Sequence, residues 1–407
     1  MNRENQGVFK AIIVGAGASG LALAVKLSLR FGGENIALIE RLDRVGKKLL
    51  STGNGQCNLT NVDCDFSHFH SENVGFYNNI ITKYGKPSVY NFFESLGIPL
   101  TQDGDKVYPL SKQASSVLDA LRFKISSLNT QCFLNEKIVD IKKQGELFYL
   151  YSESGKTYKS QNVIVAVGGN SQKHLGTDGS SYSLLENLGH KKTKLYPSIV
   201  QLKADVKRLK GLKGLKQKVT GLSIVDGKVV AKSYGDIMFT DYGLSGNVAF
   251  YLSSYFAGKT NSFIEIDFCP ELSEVELTKL IKNKQTNCSY LTVEHLLSGI
   301  MNTKIASAIL RNSNVNLDLT VDKINADKIS KLIKTYRVEI LGSLGFDGAQ
   351  VTKGGIKVCD FDDITLQSKL IKNLYATGEV LDVDGDCGGY NLTWAFSSAF
   401  AVADAIQ

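Results

Sequence analysis

No stretch of this 407-residue sequence approaches the roughly 20 consecutive apolar residues that span a bilayer, so a membrane-crossing helix is not expected. Its seven cysteines are odd in number and form no CxxC pair. That argues against a zinc ribbon or a disulfide framework and suits a reduced, cytoplasmic compartment. The five histidines, His68, His70, His174, His190 and His295, fall at no metal-ligand spacing and suggest no catalytic triad. There is no solenoid repeat and no low-complexity tract. Met1 to Phe9 is polar and charged and runs straight into a strand-like segment, which is not the pattern of a signal peptide. No acidic excess is present either. The net charge is +7, partly concentrated in Lys207-Arg208-Leu209-Lys210 and on through Lys213, Lys216 and Lys218. A nucleic-acid face would explain that run, and so would a solvated loop. The run lacks interleaved aromatics and its Gly211 and Gly214 suit a turn, so the loop is favoured and nucleic acid is not expected as a partner.

What is there begins at Ala11-Ile12-Ile13-Val14-Gly15-Ala16-Gly17-Ala18-Ser19-Gly20. An apolar run stops at spaced glycines, helical patterning follows from Leu21 to Leu29, and a second apolar run, Ile36 to Ile39, ends in Glu40. This is a βαβ unit carrying the dinucleotide fingerprint in its proper context. Gly15 permits a tight turn, Gly17 lets backbone approach a pyrophosphate, and Gly20 lets helix and strand pack closely. Ala18 and Ser19 lie at the helix N-terminus, whose free N–H groups suit phosphate. Glu40 can accept from both hydroxyls of an adenosine ribose and would repel a 2′-phosphate.

At this length two or three domains are expected, with 43% hydrophobic and 21% charged residues fitting an ordinary globular protein. After the βαβ unit comes a glycine- and asparagine-rich loop, Gly46 to Asn61. Helices are predicted at Phe76–Tyr84, Ser88–Ser95 and Gln113–Ile125, and strands at Cys132–Leu134, Ile138–Ile141, Leu147–Tyr151 and Val163–Val167. Beyond Pro197 the texture changes to short alternating runs at Ile199–Ala204, Lys218–Val225, Val229–Ser233 and Phe263–Phe268. Helical patterning follows between Ser273 and Tyr336, then strands at Val338–Leu344 and Ala349–Val358, and a terminal helix over Leu392 to Ala405. The expected fold is α/β: a Rossmann-like dinucleotide domain split in sequence (1–195 and 359–407), an inserted β domain (196–272 and 338–358) and a helical insert (273–337). Such an insert can fold back over a cofactor and wall off a substrate pocket.

Three features favour FAD over NAD as the bound dinucleotide. Glu40 is followed by Arg41 and then Val45-Gly46-Lys47-Lys48, a loop suited to continue along the cofactor. Val163-Ile164-Val165-Ala166-Val167-Gly168-Gly169 reads as a buried strand ending at packed glycines. Tyr375-Ala376-Thr377-Gly378-Glu379 delivers an acid to a ribityl chain near the C-terminus. No second GxGxxG in strand–helix context exists for a separate nicotinamide domain.

At Ser51-Thr52-Gly53-Asn54-Gly55-Gln56-Cys57-Asn58-Leu59-Thr60-Asn61 the chain resembles the bacterial aminoacetone-oxidase-like flavoproteins, also described as BaiN-type NAD(P)/FAD-dependent oxidoreductases. The resemblance recurs at Val107-Tyr108-Pro109, Gly176–Gly179, Phe239–Gly246 and Gln350–Gly355. It ends at Gly378-Glu379-Val380-Leu381-Asp382-Val383-Asp384-Gly385-Asp386-Cys387-Gly388-Gly389-Tyr390-Asn391-Leu392. It implies a three-part flavoprotein with an inserted β-barrel-like domain and non-covalent FAD, with NAD(P)H as a transient electron donor in some members. Two departures are visible: Ala399 stands where glycine is expected, and Gln56 where relatives commonly carry arginine.

Cofactor-binding roles are expected for Gly15, Gly17, Ala18, Ser19, Gly20, Glu40, Arg41, Lys47, Ser51, Gly53, Asn54, Gly55, Asn58, Val139, Gly168, Gly378, Glu379, Gly389, Asn391 and Leu392. Gly388-Gly389-Tyr390-Asn391 opens the last helix, so its N–H groups can stabilise negative charge on a flavin ring, by about 0.3–1 kcal/mol. Asp382, Asp384 and Asp386 lack the remaining ligands of a calcium loop, and no metal is expected. Cys57, Tyr108, Lys353 and Tyr390 are candidates to line the pocket, Cys57 more by packing than by redox chemistry. The expected activity is hydride transfer between a small substrate of amine or enone class and flavin N5, with oxygen or NAD(P)H as the second partner. A flavin-dependent nucleic-acid-modifying protein and a non-catalytic flavin sensor are the alternatives. Sequence specifies no oligomeric state.

Overall fold

The computed structural model describes residues 7–407. By backbone proximity the chain divides into two compact units, one made of Met1–Tyr196 with Gln350–Gln407, the other of Pro197–Ala349.

The first unit is built on a seven-stranded sheet. Its parallel part runs Gln131–Phe133, Ile36–Ile39, Val8–Val14, Thr157–Val165 and Leu374–Ala376. The central strands of this part are buried on both faces, as parallel strands covered by helices must be, with Ile12, Ile13, Leu38 and Ile164 fully enclosed, while the edge strand Gln131–Phe133 is largely exposed. The strand Thr157–Val165 changes neighbour midway. Its first half pairs antiparallel with Leu147–Ser152, and Val163–Val165 pairs parallel with Leu374–Ala376. That is why it starts six residues earlier than the apolar run Val163–Val167 suggests: the Thr157–Ser160 half alternates exposed and buried residues. It also ends at Val165, because the chain leaves the sheet into the Gly168-Gly169 turn.

The helix Ala18–Phe31 and the last helix, Tyr390–Ala405, pack against each other. The last helix is apolar nearly all round, which is the pattern of a buried helix: Trp394, Phe396 and Phe400 are essentially enclosed. The helices Asn78–Tyr84, Lys86–Ser95 and Ala114–Ser127 fall within two residues of the sequence reading. Two other segments differ. Gly46–Asn61 is not all loop, since Lys47–Ser51 is helical. Ala349–Val358 holds only a three-residue strand, Val351–Lys353, because Gly354 at φ +90 turns the chain out of extended geometry.

The second unit is a closed barrel with helices. Six strands close it: Leu202–Ala204, Gly243–Ser245, Lys228–Phe239, Lys216–Val225, Ser262–Asp267 and Tyr336–Ser343. Val219, Ile237, Phe239, Ile264 and Val338 fill its interior. Ile199 sits at φ +50, so the strand expected from that residue begins only at Leu202. Lys228–Phe239 is seven residues longer than the Val229–Ser233 run, because pairing with Lys216–Val225 carries it on through Gly235. The helices are Asn247–Ser253, Glu274–Asn287, with a Ser273/Glu276 capping box, Thr303–Asn312 and Ala326–Lys334. Among the described residues no helix is long and apolar enough to cross a membrane.

Candidate functional site

The fingerprint turn is held by close backbone approaches. Gly15 takes φ +104, and a Cβ there would come 2.5 Å from the Ala166 carbonyl oxygen. A Cβ on Gly20 would come 1.9 Å from the Gly15 carbonyl oxygen. Gly17 differs: nothing lies within 4 Å of where its Cβ would stand. The first backbone bond of the helix runs from Leu21 N–H to the Gly17 carbonyl at 3.0 Å, so the amides ahead of it are left for another acceptor. An open cradle at Gly17, walled by glycine turns and faced by a helix N-terminus, is what a pyrophosphate needs. The residues present therefore fit a dinucleotide.

Glu40 closes this turn from below. Its Oε2 accepts from Ala16 N–H at 2.8 Å and its Oε1 from Leu42 N–H at 3.0 Å. A carboxylate has about four lone-pair sites, so two remain for ribose hydroxyls. Arg41 turns its guanidinium to Asp178 at 2.9 Å, Ser180 at 3.2 Å and the Gly176 carbonyl. Burial opposes ionisation of Asp178, yet hydrogen bonds from Ser180 and Arg41 bring its pKa down to about 2. Leu42 and Arg41 also line a cleft of about 360 Å³ with Asn135, Lys137, Glu153 and Ser154. Val139 lies nearby in sequence, exposed on the strand Ile138–Gln144.

The N- and C-terminal parts of the unit meet at the same place. A Cβ on Gly378 would lie 2.8 Å from Ser19 Oγ at the start of the first helix. Glu379 Oε1 accepts from Thr352 N–H and its Oε2 from Lys48 Nζ, each at 2.8 Å. Lys47, expected to contact the cofactor, pairs with Asp43 four residues earlier at 2.8 Å. On the short helix Lys47–Ser51 the two lysines are about 100° apart, and only one can face Glu379. Gly168 and Gly169 complete the wall: a Cβ on Gly169 would strike Thr352 Oγ1 at 2.5 Å and Glu379 Cδ at 2.9 Å.

The signature loop packs on the start of the last helix. Gly389 takes φ +105, and a Cβ on it would sit 2.7 Å from the Thr60 carbonyl and 2.9 Å from Asn58 Oδ1. Asn58 Oδ1 also accepts from Val107 N–H at 3.2 Å, and Asn61 Nδ2 donates to the Gly388 carbonyl at 3.0 Å. Asn391 folds back on its own loop, accepting from Gly385 N–H at 2.9 Å and donating to the Gly385 carbonyl at 2.7 Å. Its side chain therefore shapes the turn, and the helix amides of Tyr390, Asn391 and Leu392 form the N-terminus itself. Gly53 and Asn54 are both left-handed, and with Ser51 and Gly55 they form the more open side of the loop.

The four pocket candidates have different surroundings. Cys57 is fully enclosed, and burial pushes its thiol up to about 12 against a hydrogen bond from Thr52. It lines nothing open. Tyr108 is buried, with the Lys112 ammonium 5.8 Å from its ring centre. Tyr390 stacks on His68, ring centres 4.3 Å apart. Lys353 is a third exposed, and its Nζ lies 3.9 Å from Asp384 Oδ2.

That last pair was not visible in the sequence. Asp384 is 1% exposed and, among the described residues, neither carboxylate oxygen has a hydrogen-bond partner. Burial raises its pKa to about 6; Asp382 and Asp386 push the same way, while Lys353 and His70 oppose. Its neighbours are satisfied. Asp382 accepts from Glu72 N–H at 2.9 Å, and Asp386 takes His68 Nδ1 at 3.1 Å and His70 Nε2 at 2.8 Å. The alternating Asp-x-Asp-x-Asp spacing carried the signal, but three carboxylates in one run read equally as a solvated loop.

Residues 9–405 match the family model described as HI0933-like protein Rossmann domain. The chain is 32% identical to a 3-dehydro-bile acid delta(4,6)-reductase of Clostridium scindens, over 95% of this chain and 96% of that protein. It is 25% identical to a ribosomal RNA dihydrouridine synthase of Haemophilus influenzae, over 97% and 98%. A flavocytochrome c3 fumarate reductase shares the fold at 14% identity and a TM-score of 0.50, covering 99% of this chain and 78% of that one. A glycine cradle for a dinucleotide, an acid at its ribose end and a family match along nearly the whole chain make this protein a member of the HI0933-like Rossmann-domain family of flavin-dependent oxidoreductases.

Proposed function

We propose that this protein uses non-covalently bound FAD, reduced by NAD(P)H, to saturate a carbon–carbon double bond conjugated to a carbonyl. When bound, the flavin supplies a hydride at N5. The chain must then provide a place for the substrate and a proton, because hydride addition to the β-carbon leaves an enolate that needs protonation at the α-carbon. The observation that carries this reading is the Lys353 ammonium beside the buried, unpartnered Asp384 carboxylate. Lys353 is exposed enough to meet a substrate and to be recharged from water. Asp384 lies beside the ammonium and, among the described residues, accepts no hydrogen bond that would hold it elsewhere. An amine substrate that arrives deprotonated needs no such donor, so the pair favours the enone class over the amine class. The start of the last helix at Gly389 offers the amide groups that suit negative charge on the cofactor ring.

The relatives support the same chemistry. A delta(4,6)-reductase and a dihydrouridine synthase share one feature by name, the saturation of a ring double bond. A uracil base within RNA is therefore the second reading of the substrate, favoured by a relative that aligns over 97% of this chain.

The test is anaerobic. Holoprotein is mixed with NADH or NADPH, then with a conjugated steroid enone, a uridine-containing RNA or a panel of amines. NAD(P)H should bleach the flavin band, and an enone or RNA should restore it. Bleaching by an amine, with none by NAD(P)H, overturns the proposal. Lys353→Met should slow re-oxidation by the unsaturated substrate by about 10²–10⁴-fold, the usual worth of a general acid. Bleaching by NAD(P)H should be unaffected.

A further inference from the structure

The basic run Lys207–Lys218 is a short 3-10 turn and loop up to Leu215, and its last three residues enter a barrel strand. Residues 203–232 hold nine Lys and Arg against two Asp. Their second half is the barrel strand Lys216–Val225, which turns at Asp226-Gly227, both at positive φ, into the strand Lys228–Phe239. The register places Lys216 opposite Met238, Lys218 opposite Asp236, Thr220 opposite Tyr234, and Leu222 opposite Lys232. Side chains alternate across a strand. Val219 and Ile237 point into the barrel and are fully buried. The opposite set therefore faces out, and Tyr234 is 59% and Met238 40% exposed.

Sequence order hides this arrangement. The lysine run has no aromatic within it, but strand pairing brings Tyr234 among Lys218 and Lys232. Lys216 is paired with Asp236 at 2.8 Å. Lys218, Lys228 and Lys232 have no ion pair among the described residues. From Lys216 to Leu222 the face is about 20 Å long at roughly 3.3 Å per residue. Ammonium groups around an exposed aromatic ring on a sheet are what a single-stranded nucleic acid takes: cations for phosphates and a flat face for a base. A membrane surface is better served by an amphipathic helix that buries a continuous apolar stripe; here the exposed apolar side chains, Met238, Tyr234 and, toward the hairpin tip, Val229 and Val230, are separated by Lys218 and Lys232.

We propose that the outward face of this hairpin docks single-stranded RNA, with Lys218 and Lys232 on phosphates and Tyr234 against a base. The surface rests on the RNA reading above only for the natural identity of its partner.

The experiment uses full-length holoprotein and a fluorescent oligouridine, followed by anisotropy across a salt series from about 50 to about 200 mM. Binding should weaken steeply with salt. Lys218→Glu with Lys232→Glu should lower affinity at least about tenfold and flatten the salt slope by about 1.4, the share of two phosphate contacts to a single strand. Tyr234→Ala should weaken binding by about tenfold, the usual range for one lost base stack. Flavin content and thermal midpoint should match the unaltered protein in all variants. Equal binding by the variants, or no binding to RNA while vesicles of anionic lipid bind through Lys218 and Lys232, overturns the proposal. Reduction of a small enone is measured alongside. If RNA binding depends on the hairpin but no double bond is reduced, the docking surface stands and the proposed reaction fails. If enone turnover is present and RNA binding ignores the hairpin, the reverse holds.

Discussion

Glu40 Oε2 accepts a hydrogen bond from the amide of Ala16, 24 residues earlier in the chain, at 2.8 Å. The acid expected to hold a ribose is thus also a strut of the glycine turn. Charge-assisted bonds of this kind contribute roughly 1.5–3 kcal/mol when desolvated. Glu40→Ala should lower the unfolding free energy of the apoprotein by about 2 kcal/mol and weaken FAD binding at least about tenfold, or 1.4 kcal/mol. Glu40→Gln, which keeps an acceptor oxygen, should recover most of the stability. Urea titration and flavin fluorescence measure the two effects separately. Unchanged FAD affinity in Glu40→Ala would remove the acid from the cofactor site.

Gly17 and Gly20 should fail in different ways. Gly17 has φ −80, which any residue adopts, and open space at its Cβ position. Gly17→Val should therefore fold with unchanged circular dichroism yet purify without flavin. In Gly20→Ala the added methyl meets backbone at 1.9 Å, so the protein should lose several kcal/mol of stability, of the order seen for overpacking, about 1–3 kcal/mol or more. A yellow Gly17→Val protein would contradict the cradle.

Asp384 gives stability a pH dependence of known sign. Its folded pKa, about 6, lies above its unfolded value of 3.8. Between those values the folded state binds more protons, so stability falls as pH rises from about 4 to about 6 and stays lower above that. The penalty of the ionised form is on the order of 3 kcal/mol. The groups facing it are Lys353, His70, Asp382 and Asp386. In Asp384→Asn the gap in unfolding free energy relative to the parent should move in the variant's favour between pH 4 and pH 8. Parallel stability curves for the two proteins would show that Asp384 does not titrate there.

Cys57 should be chemically silent. Its burial raises the thiol to about 12 and leaves it no surface. A thiol reagent at pH 8 should label Cys359, which is exposed, and reach Cys57 only when the protein is unfolded. Mass-spectrometric mapping of labelled peptides decides it. Rapid native labelling of Cys57 would return it to the pocket.

Much of the first unit was legible because its signals are local. In the spacing Gly15, Gly17, Gly20 the first and last glycines sit where a Cβ would strike backbone, Gly17 leaves space open, and Glu40 follows at the distance of one βαβ unit. The helix at Ala114–Ser127 shows its buried face at Val117, Leu118, Leu121 and Ile125. Local spacing does not encode direction and partnership. Lys47 and Lys48 are adjacent in sequence, and Lys48 is the one that pairs with Glu379. Asn391 bonds to Gly385 within its own turn. Asp384 differs from Asp382 and Asp386 only in being buried without a donor.

Sequence alone determined that a dinucleotide cradle opens this chain and that its C-terminal end carries a matching acid, because backbone conformation and close approach restrict residue type at those positions. Tertiary structure decided which charges meet. It set Lys353 against Asp384 and brought Tyr234 among the lysines of a barrel face, since strand register and burial depend on partners far along the chain and leave no mark in local spacing.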